Sequence, residues 1–356
     1  MEALQSLVNK LELQKDAKVD LVSPARNIQV TDGDKIHIGG YTFTANNLFE
    51  SQMAQKLGIP VGYYRKTKEA LPDLLSDNVN GWLDYAPSKK FLVRAFQKAE
   101  QPGIARAFLS DRYHIIDNYD VLFAALDAIQ QTGVNVEITK AEVTENRMYL
   151  HVTCPEVEMQ ADSFLREYLK ENDALGNGII SGFVISNSEV GAGTFEIRPR
   201  AVIVKCNNGL VVKDDRFRRY HLGAQMKAGE IQWSERTKQK NYELIISQTQ
   251  DAVNTFLSKE YLGKMVEKIA VAHEIELAHP IDAVQNVCTH LKITEQHRAN
   301  ILQHFLKDGI HNAGGIYHAI TRESQFMDAD TQHDIEANIT DMIPRIIKFD
   351  KPASLN

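Results

Sequence analysis

Apolar and polar positions along the chain change their period twice, and the changes divide it into three blocks. Residues 1–90 open with an amphipathic helical pattern, pass through an expected hairpin (27–30 and 35–44 around Asp32, Gly33 and Asp34), and continue as two helical stretches. Residues 91–224 hold short alternating runs that predict strands, and residues 225–356 keep an almost unbroken helical period. Strands gathered in one block and helices in another predict an α+β fold rather than a doubly wound sheet: an antiparallel strand-rich central core, flanking helices and a helical C-terminal region.

Within the middle block, RAFLSDRYHIIDNYDVLFAALDAI changes from strand-like alternation over 106–117 to a helical face of Val121, Leu122, Ala125, Leu126 and Ile129, with Asn118 placed to cap the helix. Alternation over that run predicts Arg106, Ser110 and Arg112 on one face and Leu109, Asp111 and Tyr113 on the other. VNVEIT and RMYLHVTC read as a further strand pair. Residues 201–206 and 210–213 flank Asn207, Asn208 and Gly209, where Asn-Gly supplies the positive φ of a tight turn.

One stretch, GFVISNSEVG, breaks the pattern. Ser186, Asn187, Ser188 and Glu189 occupy what should be apolar strand positions, and Arg198 and Arg200 do the same downstream. Two readings fit: a site where Asn187, Glu189, Arg198 and His221 converge, or polar groups that satisfy a bulge and turn, with Glu189 ion-paired to an arginine.

Composition narrows the possibilities. At 356 residues with 43% hydrophobic and 24% charged positions, the chain is long enough for a sizeable core. No apolar run reaches the roughly 18 residues of a spanning helix, and the first residues carry acids where a signal peptide carries bases, so a cytoplasmic protein without membrane contact is expected. Cys154, Cys206 and Cys288 are odd in number and far apart, which disfavours a disulfide framework and a structural zinc. The net charge is −7, distributed as +4 within residues 213–240 and −11 outside them, a polarity suited to a local anionic ligand or to a solvated connector.

Motifs for common chemistries are missing: there is no phosphate loop, nucleotide fingerprint or GxSxG elbow, and HEIELAH lacks the histidine spacing of a zinc protease. His290, His297, His304, His311 and His318 recur every seven residues, but helix breakers interrupt the series, and His297 and His304 would stand about 10 Å apart by helical rise, too far for one metal. No metal or cofactor is expected. Residues 51–68 have the outline of a helix-turn-helix, with Gly58 at the turn and Arg65, Lys66 and Lys68 beyond it; a plain helical hairpin fits them as well.

The blocks RAFLSDRYHIIDN, GFVISNSEVG, KCNNG followed by FRRYHLG, and IYHAIT, preceded by QKLGIPVGYYRK and NVNGWL, resemble the signature blocks of the DUF932 family, phage- and plasmid-like proteins of unknown function. The resemblance covers about residues 20–325; Asn207 stands where Thr is common and His318 where Asn is common. It implies residence on mobile elements beside recombination and replication genes, and it brings no established catalytic residues.

The resulting expectation is a nucleic-acid-associated protein, an oligomer of identical chains that binds or anneals single-stranded DNA. Annealing involves no covalent step and needs a cationic groove and flat side chains. Arg112, Arg198, Arg200, Arg216, Arg218 and Arg219 are the phosphate candidates, and Tyr113, Tyr220 and Trp233 the stacking candidates. Ser186, Asn187, Ser188, Glu189, Asn207, Asn208 and Gly209 form a polar core motif. The alternatives are an enzyme with Glu189 and His221 as acid and base and Arg198 holding an anionic substrate, or an interaction protein that engages a host factor.

Overall fold

The computed structural model describes residues 2–98, 102–160, 178–203, 208–211, 217–219, 229–230 and 234–352. Its first region runs α1 (Glu2–Lys15), β1 (Lys18–Pro24), β2 (Ile28–Thr31), β3 (Lys35–Ile38), β4 (Tyr41–Ala45), α2 (Asn47–Leu57), α3 (Val61–Ala70), α4 (Pro72–Tyr85), β5 (Lys90–Phe96) and β6 (Gly103–Ser110). The hairpin predicted around Asp32 and Gly33 forms between β2 and β3, with register Thr31↔Lys35. The run 35–44 is not one strand, however: Gly39 and Gly40, at φ 58° and 83°, turn it back on itself as β3 and β4. A two-residue hairpin loop needs positive φ at both positions, which glycine adopts without steric cost.

These strands, with β13 (Gly229–Glu230) from further along the chain, make a sheet of order β13-β1-β5-β6-β4-β3-β2, antiparallel except for β4 beside β6. One face carries Leu21, Ile36, Phe43, Phe91, Val93 and Phe108 and is covered by α2, α3 and α4. Alternation therefore leaves Lys18, Asp20, Val22, Leu92 and Arg94 for the opposite face. That face points toward the rest of the molecule.

The second region holds α5 (Asn118–Thr132), β7 (Glu137–Val143), β8 (Met148–Gln160), β9 (Gly178–Asn187), β10 (Phe195–Ile203), β11 (Asn208–Val211) and β12 (Phe217–Arg219). Strands β7 to β11 form a second, antiparallel sheet in the order β11-β10-β9-β8-β7, and β12 pairs with β10. The β10–β11 hairpin forms as expected, but its turn does not fall on Asn207-Asn208-Gly209. Asn208 and Gly209 are strand residues paired with Ile203 and Val202, and Asn207 lies outside the described residues.

Helices α6 (Glu235–Phe256), α7 (Lys259–Glu274), α8 (Pro280–His290), α9 (Glu295–Asp308), α10 (Ala313–Ser324) and α11 (Ala329–Met342) complete the fold. Helices α7 to α11 bury their own core, joined by Ile179, Ala201 and Ile203 from the strands. The α+β architecture and the helical C-terminal region agree with the periodicity. The three consecutive blocks nevertheless interleave in space. Leu7 and Leu11 of α1 and Ile245, Val253 and Phe256 of α6 pack with α5 on the apolar face of the second sheet, while β13 reaches back to β1 in the first. β5 and β6 likewise carry the first sheet across residue 90.

The packing of α1 can be measured directly. Leu11 is 1% exposed and Leu13 64%. Leu11→Ala is expected to cost about 2–5 kcal/mol in urea denaturation, and Leu13→Ala no more than about 0.5 kcal/mol. Equal effects would remove α1 from the core.

Candidate functional site

The face of the first sheet that α2–α4 leave uncovered carries charge. Lys18 and Asp20 on β1 and Arg94 on β5 point from it, and Arg106 joins them through an irregularity in β6. Arg94 pairs with Ala107 and Ala95 with Ala105, so Arg106 is the extra residue of a β-bulge. A bulge redirects the inserted side chain. Here it sets Arg106 on the same side as Ala107, and strict alternation from Arg106 to Arg112 does not hold.

What these residues meet is the loop after β9. Glu189 has no solvent exposure. Its Oε1 accepts from Arg106 Nη1 at 2.8 Å, and its Oε2 accepts from Lys18 Nζ at 2.8 Å and from the Asn118 backbone N–H at 2.9 Å. Arg94 donates Nη1 to the Glu189 carbonyl at 2.7 Å, Nη2 to Asp117 Oδ1 at 2.7 Å and Nε to Asp20 Oδ1 at 2.7 Å. Lys18 also lies 3.1 Å from Asp117. Three cations and three carboxylates thus close a neutral network. Burial opposes ionisation of Glu189, but Lys18, Arg106 and Arg94 outweigh it and hold the carboxyl well below the usual range. The same balance, burial against Lys18 and Arg94, lowers Asp117.

The polar residues at the end of β9 and in the loop are held by the same surroundings, although the buried Asn187 Oδ1 has no hydrogen-bond partner among the described residues. Asn187 donates Nδ2 to the Ile116 carbonyl at 3.0 Å and to Asn118 Oδ1 at 2.8 Å. Ser188 donates Oγ to the Asn146 carbonyl at 2.7 Å and accepts from the Ala192 N–H at 2.8 Å. Ser186 is buried. Helix α5 starts at Asn118 with Asp117 in the capping position, yet the Asp117 side chain caps nothing. Glu189 takes the first orphan N–H instead, an anion at a helix N-terminus. The motif joins two sheets and a helix.

This placement corrects the acid–base reading. Glu189 has no route to a substrate proton, and Arg198 is taken by Glu196, which accepts from its Nε at 2.6 Å and also contacts Nη2. His221 lies outside the described residues, as do Arg216, Tyr220 and Trp233; Arg218 and Arg219 lie in β12, opposite Glu196 and Phe195. The groove set is corrected in part. Arg198 and Arg200 are buried on the second sheet's polar face, near His333 of α11 and His151 of β8. Burial first, then Arg198 and Arg147, keeps His333 neutral; burial and Arg200 do the same for His151. Tyr113 donates its hydroxyl to the Ser188 carbonyl at 2.8 Å and is no stacking platform. Arg112 is exposed.

The helix-turn-helix outline is a helical hairpin, α2 and α3, packed on the first sheet; Lys68 is bound to Glu50 and Arg65 donates to Ser51 Oγ. Two of the periodic histidines converge after all, though on a carboxylate: His297 Nδ1 lies 2.7 Å from Glu323 Oε1 and His304 Nε2 3.2 Å from Oε2. His318 pairs with His273, Nε2 to Nε2, at 3.0 Å.

A feature that no motif announced lies beside the loop. A cleft of about 640 Å³ is lined by Lys56, Lys89, Lys90, Ser110, Asp111 and Gly191, among others. Gln52 fixes its back wall, donating to the Val190 carbonyl and accepting from the Phe108 N–H, both at 2.8 Å. Gly191 sits at φ 78°, and a Cβ there would stand 2.6 Å from Leu109 Cδ2, so only glycine leaves that wall in place. No carboxylate among the described residues lies within ion-pair distance of Lys56, Lys89 or Lys90. Burial, with Lys89 nearby, pulls the Lys56 ammonium's pKa down.

No protein-family model matches the chain, and neither the curated proteins nor the solved structures contain a match.

Glu189→Gln keeps the shape and removes the charge, leaving Arg106 buried without its counterion and Lys18 with Asp117 alone. A loss of about 3–5 kcal/mol is expected by urea denaturation. The pH dependence has a definite sign. Glu189 and Asp117 are depressed in the folded state, so their stabilisation is fully present above the ordinary values of 4.5 and 3.8 and is lost as pH falls through the lower folded values. Urea midpoints should therefore drop with acidification in the wild type and drop less in Glu189→Gln. Parallel curves would show that Glu189 is not ionised.

Proposed function

We propose that the protein binds single-stranded nucleic acid through the lysine cleft, as a component of the recombination or replication of a mobile element. The observation that carries this reading is the accumulation of Lys56, Lys89 and Lys90 around one cleft, with no carboxylate among the described residues in ion-pair distance of them. Like charges gathered in this way destabilise the free protein and favour a polyanion. Exposed Arg112 follows directly on the cleft residues Ser110 and Asp111. Trp82 and Tyr85, 45% and 82% exposed, stand at the end of α4, just before residues 88–90 of the rim, with ring centroids 5.9 Å apart. They do not line the cleft itself, but strand binding without sequence preference combines a cationic groove with exposed flat side chains of this kind.

The resemblance to the DUF932 family and the basic balance of residues 213–240 support the same reading. Assembly of several copies along a strand and annealing of two strands belong to the proposal. A rival has its own observation. Leu74, Trp82 and Tyr85 share one exposed side of α4, a surface that would equally suit a protein partner.

Fluorescence anisotropy with a labelled oligonucleotide separates the two. The triple variant Lys56→Ala, Lys89→Ala, Lys90→Ala should bind more weakly and reduce the log–log salt slope by roughly 2, about 0.7 for each phosphate that goes unneutralised on a single strand. Its melting temperature should fall little, because none of the three lysines forms an ion pair among the described residues and the contact of Lys89 Nζ with the Phe91 ring, at 5.2 Å from its centroid, is weak. Absence of wild-type binding at about 50 mM salt, where phosphate binding is strong, would overturn the proposal.

A further inference from the structure

The lysine cleft is closed at its inner end. Gln52 of α2 binds both the Val190 carbonyl and the Phe108 N–H, joining the loop after β9 to β6 behind the cleft. Lys56 lies one helical turn further along α2, on the same face as Gln52, and so stands beside that wall. It is half-buried, as is Lys90, whereas Lys89 is exposed at the mouth. A strand running past many phosphates needs a groove open at both ends. A cleft of about 640 Å³ with a back wall is of small-ligand size and has room for the end of a chain.

Charge and donors indicate which end group fits. The three lysines stand against one carboxylate in the lining, the buried Asp111, which leaves an excess of two positive charges. An internal phosphodiester carries one negative charge, and a terminal phosphate monoester about two near neutral pH. Ser110 Oγ accepts from the Arg112 N–H at 3.1 Å, so its hydroxyl hydrogen is left to donate, and Ser88 is exposed in the same lining. We infer that the cleft receives the end of a strand and holds its terminal phosphate monoester between Lys56, Lys90 and the Ser88 and Ser110 hydroxyls, an inference that rests on the strand-binding reading of the cleft. Burial, and then the nearby Lys89, depress the Lys56 ammonium in the free protein; a dianion between the lysines reverses that repulsion.

The test compares a short oligothymidine strand phosphorylated at its 5′ or its 3′ end with a hydroxyl-ended strand two nucleotides longer, which carries about the same total charge. Wild type should bind one of the phosphorylated strands roughly tenfold more tightly, the scale of one added hydrogen bond to a charged group. Lys56→Ala should bind the phosphorylated and hydroxyl-ended strands alike, with Lys56→Gln giving the same comparison should the first variant not fold. Equal wild-type affinities would overturn the inference and leave the strand-binding reading standing, as would a preference that persists in the Lys56 variants. Thymidine monophosphate brings the same end group without a strand, and it should displace the phosphorylated strand only in large excess. Displacement at the strand's own concentration would overturn the strand end as the source of the phosphate. Failure of wild type to bind any strand would overturn the strand-binding reading itself, and the inference with it.

Discussion

The buried charge of Glu189 is the constraint on which the rest of the architecture depends. A carboxylate with no water around it must be compensated by cations and hydrogen-bond donors held in place by the surrounding structure. Here the compensation reaches the loop after β9 from the first sheet and a helix at once: Lys18 from β1, Arg94 from β5, Arg106 from the bulge of β6 and the first N–H of α5. Asp20 and Asp117 return the network to neutrality. An apolar contact tolerates sliding; a closed set of six charges does not. It fixes register and spacing between the layers.

The two sheets show contrasting uses of their second faces. The first sheet directs its polar face at the Glu189 loop. The second packs an apolar face on α1, α5 and α6 and carries Glu196, Arg198 and Arg200 on the other. Arg147 extends from the β7–β8 turn to Asp334 of α11 and to the Ala192 carbonyl, binding the helical region to the loop next to Glu189. Tyr149 donates to Asp330 of the same helix. Polar groups in strands therefore act mainly as connectors between layers, and positive charge gathers beside them, in the cleft walled by the same loop.

What was legible in the sequence was whatever depends on neighbours along the chain. The separation of strands from helices, the β2–β3 and β10–β11 pairings and the helical face of α5 all follow from local period. The polar run at 186–189 was visible as an anomaly, but its partners were not, because Lys18 and Arg106 lie 171 and 83 residues from Glu189. Arg94 within FLVRAF was the same kind of signal, a charge inside an apolar strand, and it pointed to the network. The bulge at Arg106 erased the facing that alternation assigns. Arg198 and Arg200 look outward in a strand considered alone; burial against the helical region is a tertiary fact. Lys56, Lys89, Lys90 and Asp111 come from α2, the residue before β5, the first residue of β5 and the turn after β6, and no spacing rule links them.

Interleaving of the chain limits how the molecule can be taken apart. A cut near residue 90 would strip β5 and β6 from β1 and β4, and would carry α1 away from the core it completes. A cut before α6 would leave α5 and the apolar face of the second sheet without their cover. Neither cut would leave both sheets with a closed hydrophobic interior, so the two sheets should melt in one transition rather than in sequence. The lysine cleft then shares the fate of the entire fold: it cannot be excised as a smaller module, and any lesion that loosens the charged joint reaches it.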